Sequence, residues 1–463
     1  MKHPFHQIHL YEIGSRLFCG KKGKPLQLVL DGLHKTDPFC WADEIWLMGV
    51  WKNSPSSQKI ARSMPELQPG YQFVKSNLEQ SDVYGSPYSI YEYSPDPLVT
   101  DQLDLREICD WFHSHHKKLI LDFVPNHLAI DSPIVSQNPD LFLKVDPNEI
   151  GKNSFLHPNG FWYSHGKDPY FDGWTDTIQW DFSNPEVEEY HINILRSIAK
   201  QCDGVRCDMA MLPLPEVFKK THGKLSVYDW NRVIKTIKQE FHGFKFYAEV
   251  YWGLENTLQF LGFDATYDKS LFDEMLMGNL TMIANSIMNN SNLHNIRFLE
   301  NHDENRAKHN FGDKSHTYFS LLSATPNIIL FHDGQNLGHS KKVPVQMIQI
   351  DEEPVDFATN SFYNRAFTTI SKRSNKLEYI DLQYFEFNHL PIFARKIISD
   401  FHVELILWNH NSIESSGWIQ YEDGIFFKDE LIDIVTGEIY TQMKKKEGLY
   451  FKLNPNQLQW FIF

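Results

Sequence analysis

Short apolar runs that read as strands recur along most of the chain, and this recurrence constrains the fold more than any other feature. The runs are Ile8–Ile13, Glu44–Val50, Leu119–Val124, Gly204–Met209, Phe246–Val250, Asp264–Tyr267, Arg297–Asn301 and Asn327–His332. Amphipathic stretches lie between several of them. From Gln102 to Lys117, for example, Leu105, Ile108, Trp111 and Phe112 fall on one helical face, with Asp101 as N-cap. Eight strands in repeated strand–helix units predict an α/β fold, a parallel (β/α)8 TIM barrel. At 463 residues the chain exceeds one ordinary core and suits a large barrel with a smaller domain.

Two regions break the alternation. Residues 128–180, after the third strand, are rich in Pro, Asn, Gly and aromatics, including Phe161, Trp162, Tyr163, Tyr170, Phe171 and Trp174. An insert of that length inside a compact domain is usually functional. From about Leu390 the pattern turns to strands and turns, as in Val403–Trp408, Gly424–Phe427 and Leu458–Phe463. The segment DIVTGEIY reads as a hairpin turning at Thr436-Gly437. The expected organisation is a barrel over 1–385, insert included, and a C-terminal antiparallel β-domain over 386–463.

Composition narrows the partners. A formal net charge of -15 repels phosphate backbones and anionic lipid, so neither nucleic acid nor a membrane surface is expected. A neutral sugar is not disfavoured. Aromatics make up 14% of the chain; they suit a carbohydrate enzyme and equally a large aromatic core. Five cysteines, with no CxxC or tight cluster, argue against a disulfide framework or a zinc site and suit a reducing cytosol. The N-terminus does not read as a signal peptide, and no apolar run approaches a membrane span. HSHH, His113 to His116, reads as a solvated helix end rather than a metal site.

Four strand candidates end in polar groups. The third gives LDFVPNH with Asp122, Asn126 and His127. The fourth gives GVRCDMA with Arg206 and Asp208, the fifth YAEVYW with Glu249, and the seventh FLENHDENR with Asn301, His302, Asp303 and Arg306. In a parallel barrel such ends meet in one mouth. Cys207 alternates to the opposite side of its strand and reads as core.

These four segments, in this order, resemble the signature regions of the α-amylase superfamily, glycoside hydrolase family 13. YGSPYSIYEYSPDP (Tyr84 to Pro97) and TDTIQWDFSNPEV (Thr175 to Val187) are similar to two further family segments. The resemblance spans roughly Ile8 to Gln335. It implies a retaining glycoside hydrolase or transglycosidase acting on α-glucosidic bonds of a maltodextrin or small α-glucoside. By resemblance Asp208 is the nucleophile, Glu249 the acid and base, and Asp303 the group that holds sugar hydroxyls. Tyr88 stacks on the sugar, and Asp122, Asn126, His127, Arg206 and His302 complete the substrate site. Three neighbouring carboxylates should push one carboxyl pKa upward, and Arg206 should keep Asp208 ionised.

The chain departs from the family pattern at Met211 and Leu212, where many amylases carry lysine and histidine on the leaving-group side. Asn126 and Asp181 match two calcium-ligand positions without a complete set, so calcium is an option and no cofactor is a requirement. Asp208, Tyr88 and Trp174 also have plainer readings as a solvated strand cap and packing residues. Three rivals stay open. One is a transferase acting on sucrose, trehalose or glucan ends. Another is a catalytically silent glycan-binding relative. The third is an unrelated phosphate-binding barrel, for which HDGQNLG (His332 to Gly338) is the nearest loop.

Overall fold

The computed structural model describes residues 7–26, 30, 39–100, 105–289, 294–373, 376–382, 384–386, 392–419, 430–441, 444–445 and 448–463. Asp101 and Gly424–Phe427 lie outside them.

Eight parallel strands close into a barrel: β1 (His9–Gly14), β2 (Glu44–Met48), β3 (Lys118–Phe123), β4 (Gly204–Cys207), β5 (Lys245–Ala248), β6 (Ala265–Tyr267), β7 (Asn295–Arg297) and β8 (Ile328–His332). Each pairs with its sequence neighbours, and β8 returns to β1. The expected (β/α)8 architecture is therefore present. Fully buried Ile45, Leu47, Ile120, Leu121, Val205, Phe246 and Ala265 give the strands their apolar character. At Gly204 the neighbouring strands approach closely: a Cβ there would sit 2.7 Å from Cβ of Lys245 and 2.9 Å from Cδ1 of Ile120. Cys207 is buried, as strand alternation predicts.

The seventh strand is displaced from its expected span of 297–301. Regular pairing stops at Arg297, and after buried Phe298 and Leu299 the side chains of Glu300 and Asn301 build a turn. The Glu300 carboxylate accepts the Ala307 N–H at 2.5 Å, and Asn301 Oδ1 accepts the N–H groups of Asp303 and Glu304 at 2.9 and 3.0 Å. This side-chain-built turn presents Asp303 at the mouth.

Two excursions rise from the C-terminal ends of the strands. The expected insert is a lightly structured unit in which Thr177–Gln179 pairs with His127–Ala129, and Ser154–Leu156 pairs with Trp162–Ser164. The sequence reading missed the other excursion, between β2 and β3. It holds strand Trp51–Asn53, helices Pro55–Ser63 and Gln68–Val74, and strand Ile90–Pro95. Its first helix starts on a legible signal: Ser54 accepts from the Ser57 N–H, and Pro55 follows.

The C-terminal residues form antiparallel sheets of six and four strands. The hairpin around Gly437 is present, with Ile432 opposite Ile439 and Gly437 at φ +80°. Strand Glu378–Asp381 also pairs into the six-stranded sheet. Two buried arginines join sheet and barrel. Arg373 grips Glu404 through two 2.7 Å contacts, and Arg395 donates to the Ala324 carbonyl at 2.9 Å while pairing with Asp381.

Candidate active site

Arg206 organises the mouth. It lies at the end of β4, 1% exposed, with its guanidinium flanked by Trp46, Tyr88 and Tyr267 at 5.1 to 5.7 Å. Nη1 donates to Asp208 Oδ1 at 2.6 Å. Nη2 stands 2.8 Å from Glu249 Oε2, an ion pair in which the N–H does not align with the oxygen. Asp122 is 3.9 Å away and is held by Trp46 Nε1–H at 3.1 Å and the Gly49 N–H at 2.8 Å. One cation thus faces three acids from three strands, and burial without it would be costly.

A second cluster fixes Asp303. His302 Nε2 lies 2.9 Å from Asp303 Oδ2 and 2.8 Å from the Tyr88 hydroxyl, while Nδ1 lies 2.5 Å from Glu12 Oε1. Glu12, on β1 and fully buried, is a site residue the sequence reading missed. Its signal was a lone acid inside the apolar run LYEIG. Burial alone would lower the His302 pKa, but Asp303 and Glu12 outweigh it and hold the imidazole protonated. Burial pushes Asp303 up in turn; His302, then Arg206 and Lys342, carry it well below the usual carboxylate range. Nearly half of the Asp303 side chain, 48%, remains open to the cleft.

Glu249 behaves differently. Burial first, then Asp208 and Asp303, push its pKa up to about 7 against the pull of Arg206. The expected upward displacement is therefore present on Glu249, and it is not confined to one carboxyl: burial also pushes Asp122 up, to about 6. Asp208 is also raised by burial, with Arg206 opposing, so the arginine offsets only part of the desolvation that was expected to be overcome. The backbone past Asp208 turns sharply: Met209 has φ +42°, and its N–H donates to Glu249 Oε2 at 2.7 Å. The Tyr251 hydroxyl donates to Glu249 Oε1 at 2.7 Å. Tyr251 and Met209 were also missed. Each adjoins a carboxylate that the motifs single out, and only the fold shows the contact.

Tyr88, His127, Asp208, Glu249 and Asp303 line one cleft of roughly 660 Å3. One wall is Asp168, Phe171, Trp174 and Asp176 from the insert; the other is Ile60, Ala61, Met64 and Leu67 from the excursion between β2 and β3. Trp174, open to either reading in sequence, lines the cleft with its ring 5.2 Å from His127. Burial lowers the His127 pKa to about 4, so this ring is neutral. Asp122, Arg206 and His302 stand behind the cleft wall. Asn126 belongs to the insert's attachment instead: Gln179 Nε2 donates to its backbone oxygen at 2.9 Å and its Oδ1 at 3.0 Å. Met211 and Leu212 are buried in the core, and neither lines the cleft.

The residues matched to calcium positions do not fit that ion well. Asp181 accepts from Lys224 at 3.2 Å and from Ser183 Oγ at 2.6 Å, while Asn126 Oδ1 is taken by Gln179. A lysine already neutralises the carboxylate calcium would need. Chelation with EDTA should leave turnover within twofold of the untreated protein; a loss beyond tenfold, restored by calcium, would contradict this. The HDGQNLG loop is likewise structural. Arg306 donates to the Asp333 carbonyl at 2.8 Å and meets His332 Nδ1 at 2.7 Å.

Fold and site thus define a parallel barrel whose mouth gathers three carboxylates around one buried arginine. No protein-family model matches the chain. Alpha-amylase 2 of Dictyoglomus thermophilum is 25% identical over 376 residues, covering 73% of this chain and 61% of that protein. The chain therefore spans about three-fifths of the length of the curated relative it matches. Among solved structures, the noncanonic maltogenic α-amylase AmyB of Thermotoga neapolitana superposes with a TM-score of 0.66 at 18% identity, covering 98% of both chains. An α-amylase from Lactobacillus plantarum also reaches 0.66, at 16% identity over 99% of this chain and 98% of that one. In fold and in its ordered motifs the chain is similar to these α-amylases. Among the described residues no helix is long and apolar enough to cross a membrane.

Proposed function

We propose that this protein is a retaining glycosidase or transglycosidase that cleaves α-glucosidic bonds of maltodextrins or small α-glucosides through a covalent glycosyl-enzyme. The observation that carries the reading is Arg206 in contact with both Asp208 and Glu249. One guanidinium touching both carboxylates favours the short separation, about 5–5.5 Å, that retaining cleavage uses. Asp208 attacks the anomeric carbon. Glu249 protonates the departing oxygen, then removes a proton from the incoming water or sugar hydroxyl. With Arg206 and Met209 on Oε2, the Glu249 proton belongs on Oε1, where the Tyr251 hydroxyl can accept as well as donate. Asp303, kept ionised by His302, holds hydroxyls of the ring that develops positive charge, and Tyr88 packs on its face. The reaction needs no redox cofactor. The cysteine usage and net charge suit a cytosolic enzyme acting on neutral oligosaccharides, without nucleic-acid or membrane partners.

Maltohexaose, incubated with and without excess glucose and resolved by chromatography, tests this reading. Shorter dextrins alone indicate hydrolysis; chains longer than the donor indicate transfer. No change with maltohexaose, sucrose, trehalose or sugar phosphates would favour the silent glycan-binding relative instead. A pH series adds a second test. Glu249 must be protonated in the first step, and its carboxyl sits near 7. On the alkaline side kcat/KM should therefore fall about tenfold per unit above that value. A profile flat from pH 6 to 9 would remove Glu249 from the acid role.

A further inference from the structure

Three donors from two segments meet outside the cleft, at the opposite end of the barrel. Helix Leu105–Ser114 places Cys109 and His113 one turn apart on one face. The turn entering β4 supplies Asp203. Cys109 Sγ lies 3.5 Å from His113 Nε2 and 3.7 Å from Asp203 Oδ2, and that Nε2 lies 2.9 Å from the same carboxylate oxygen. In a tetrahedral zinc site, with Zn–S about 2.3 Å and Zn–N and Zn–O about 2.0–2.1 Å, sulfur stands about 3.6 Å from each light donor. The two light donors stand about 3.3 Å apart. Two edges of the triangle match, and the third is a hydrogen bond that would open slightly when a metal replaces the proton.

The frame around these donors is fixed. Cys109 is buried on a helix anchored by buried Ile108 and Phe112. Asp203 Oδ2 also accepts the Leu119 N–H at 2.8 Å. The His113 side chain is 39% exposed, which leaves an entry path and room for water. A thiolate and a carboxylate would neutralise a divalent ion, so the loaded site carries no net charge. Among the described residues this is the one group of three such side chains close enough to share an ion.

We propose that Cys109, His113 and Asp203 bind a divalent ion of the zinc class, with water as fourth ligand. The ion displaces the Cys109 thiol proton to solvent, and His113 keeps its proton on Nδ1. It ties the helix to the entry of β4, whereas Asp208 follows that strand's other end. Its effect is on stability and not on turnover, so the site stands apart from the proposed activity. Sequence spacing concealed it because Asp203 lies about ninety residues from the other two ligands, and HSHH, which contains His113, reads in sequence as a solvated helix end.

The test uses the full chain stripped with EDTA and titrated with Co2+, reading thiolate-to-cobalt charge-transfer absorption, with Zn2+ as competitor and thermal unfolding as a second readout. One Co2+ per chain should bind in the micromolar range or tighter, be displaced by Zn2+, and raise Tm. Cys109→Ser should abolish the band. His113→Ala alters a partly exposed side chain, so the fold is retained if Cys109→Ser is unstable, and it should weaken binding at least tenfold. Absence of the band, or a band unchanged in His113→Ala, would overturn the proposal and leave a hydrogen-bonded cluster only.

Discussion

Asp208→Asn is expected to reduce kcat/KM on maltohexaose by about 10^4-fold or more, because the amide cannot form the glycosyl-enzyme. The loss should appear mainly in kcat, since Tyr88, His127 and Asp303 still line the cleft. Thermal stability should hold or rise. The native carboxylate is desolvated and repelled by Asp303 and Asp122, and its 2.6 Å bond to Arg206 offsets only part of that. Steady-state kinetics beside a melting curve check both halves. Residual activity within tenfold of the parent would place the nucleophile elsewhere.

Arg206→Leu is expected to cost both activity and stability. Removing the guanidinium leaves Asp208 and Glu249 without their shared cation and Asp122 without its nearest one, all three buried. Breaking one partner of a buried ion pair typically costs about 3–5 kcal/mol. Some of that can be recovered by proton uptake on Glu249, so urea unfolding should show a smaller deficit at pH 5 than at pH 8. The sign follows from the raised Glu249 pKa: its neutral form tolerates burial and its ionised form does not. A deficit under about 1 kcal/mol at pH 8 would mean that water, not Arg206, neutralises the cluster.

The sequence made the barrel legible because its strands are buried on both faces and read as apolar runs. It also revealed the strand-end acids, which interrupt those runs. It could not place β7, where an Asn301-centred turn replaces the last strand residues. It missed Glu12, whose role depends on β1 lying beside β8, next to the segment carrying His302. The wall built by Ile60, Met64 and Leu67 was illegible for another reason: an ordinary amphipathic helix and the turn that follows it carry no mark of the cleft they face. Asn126 shows the converse. Its motif suggested substrate, but a glutamine 53 residues on takes its side chain.

Retention through Asp208 is tested most directly by the anomeric configuration of the first product. Maltohexaose cleavage followed by proton NMR within the first minutes, before mutarotation, should show the α-anomer forming ahead of equilibrium. Initial release of the β-anomer would mean direct attack by water across a wider carboxylate pair, and would contradict the account.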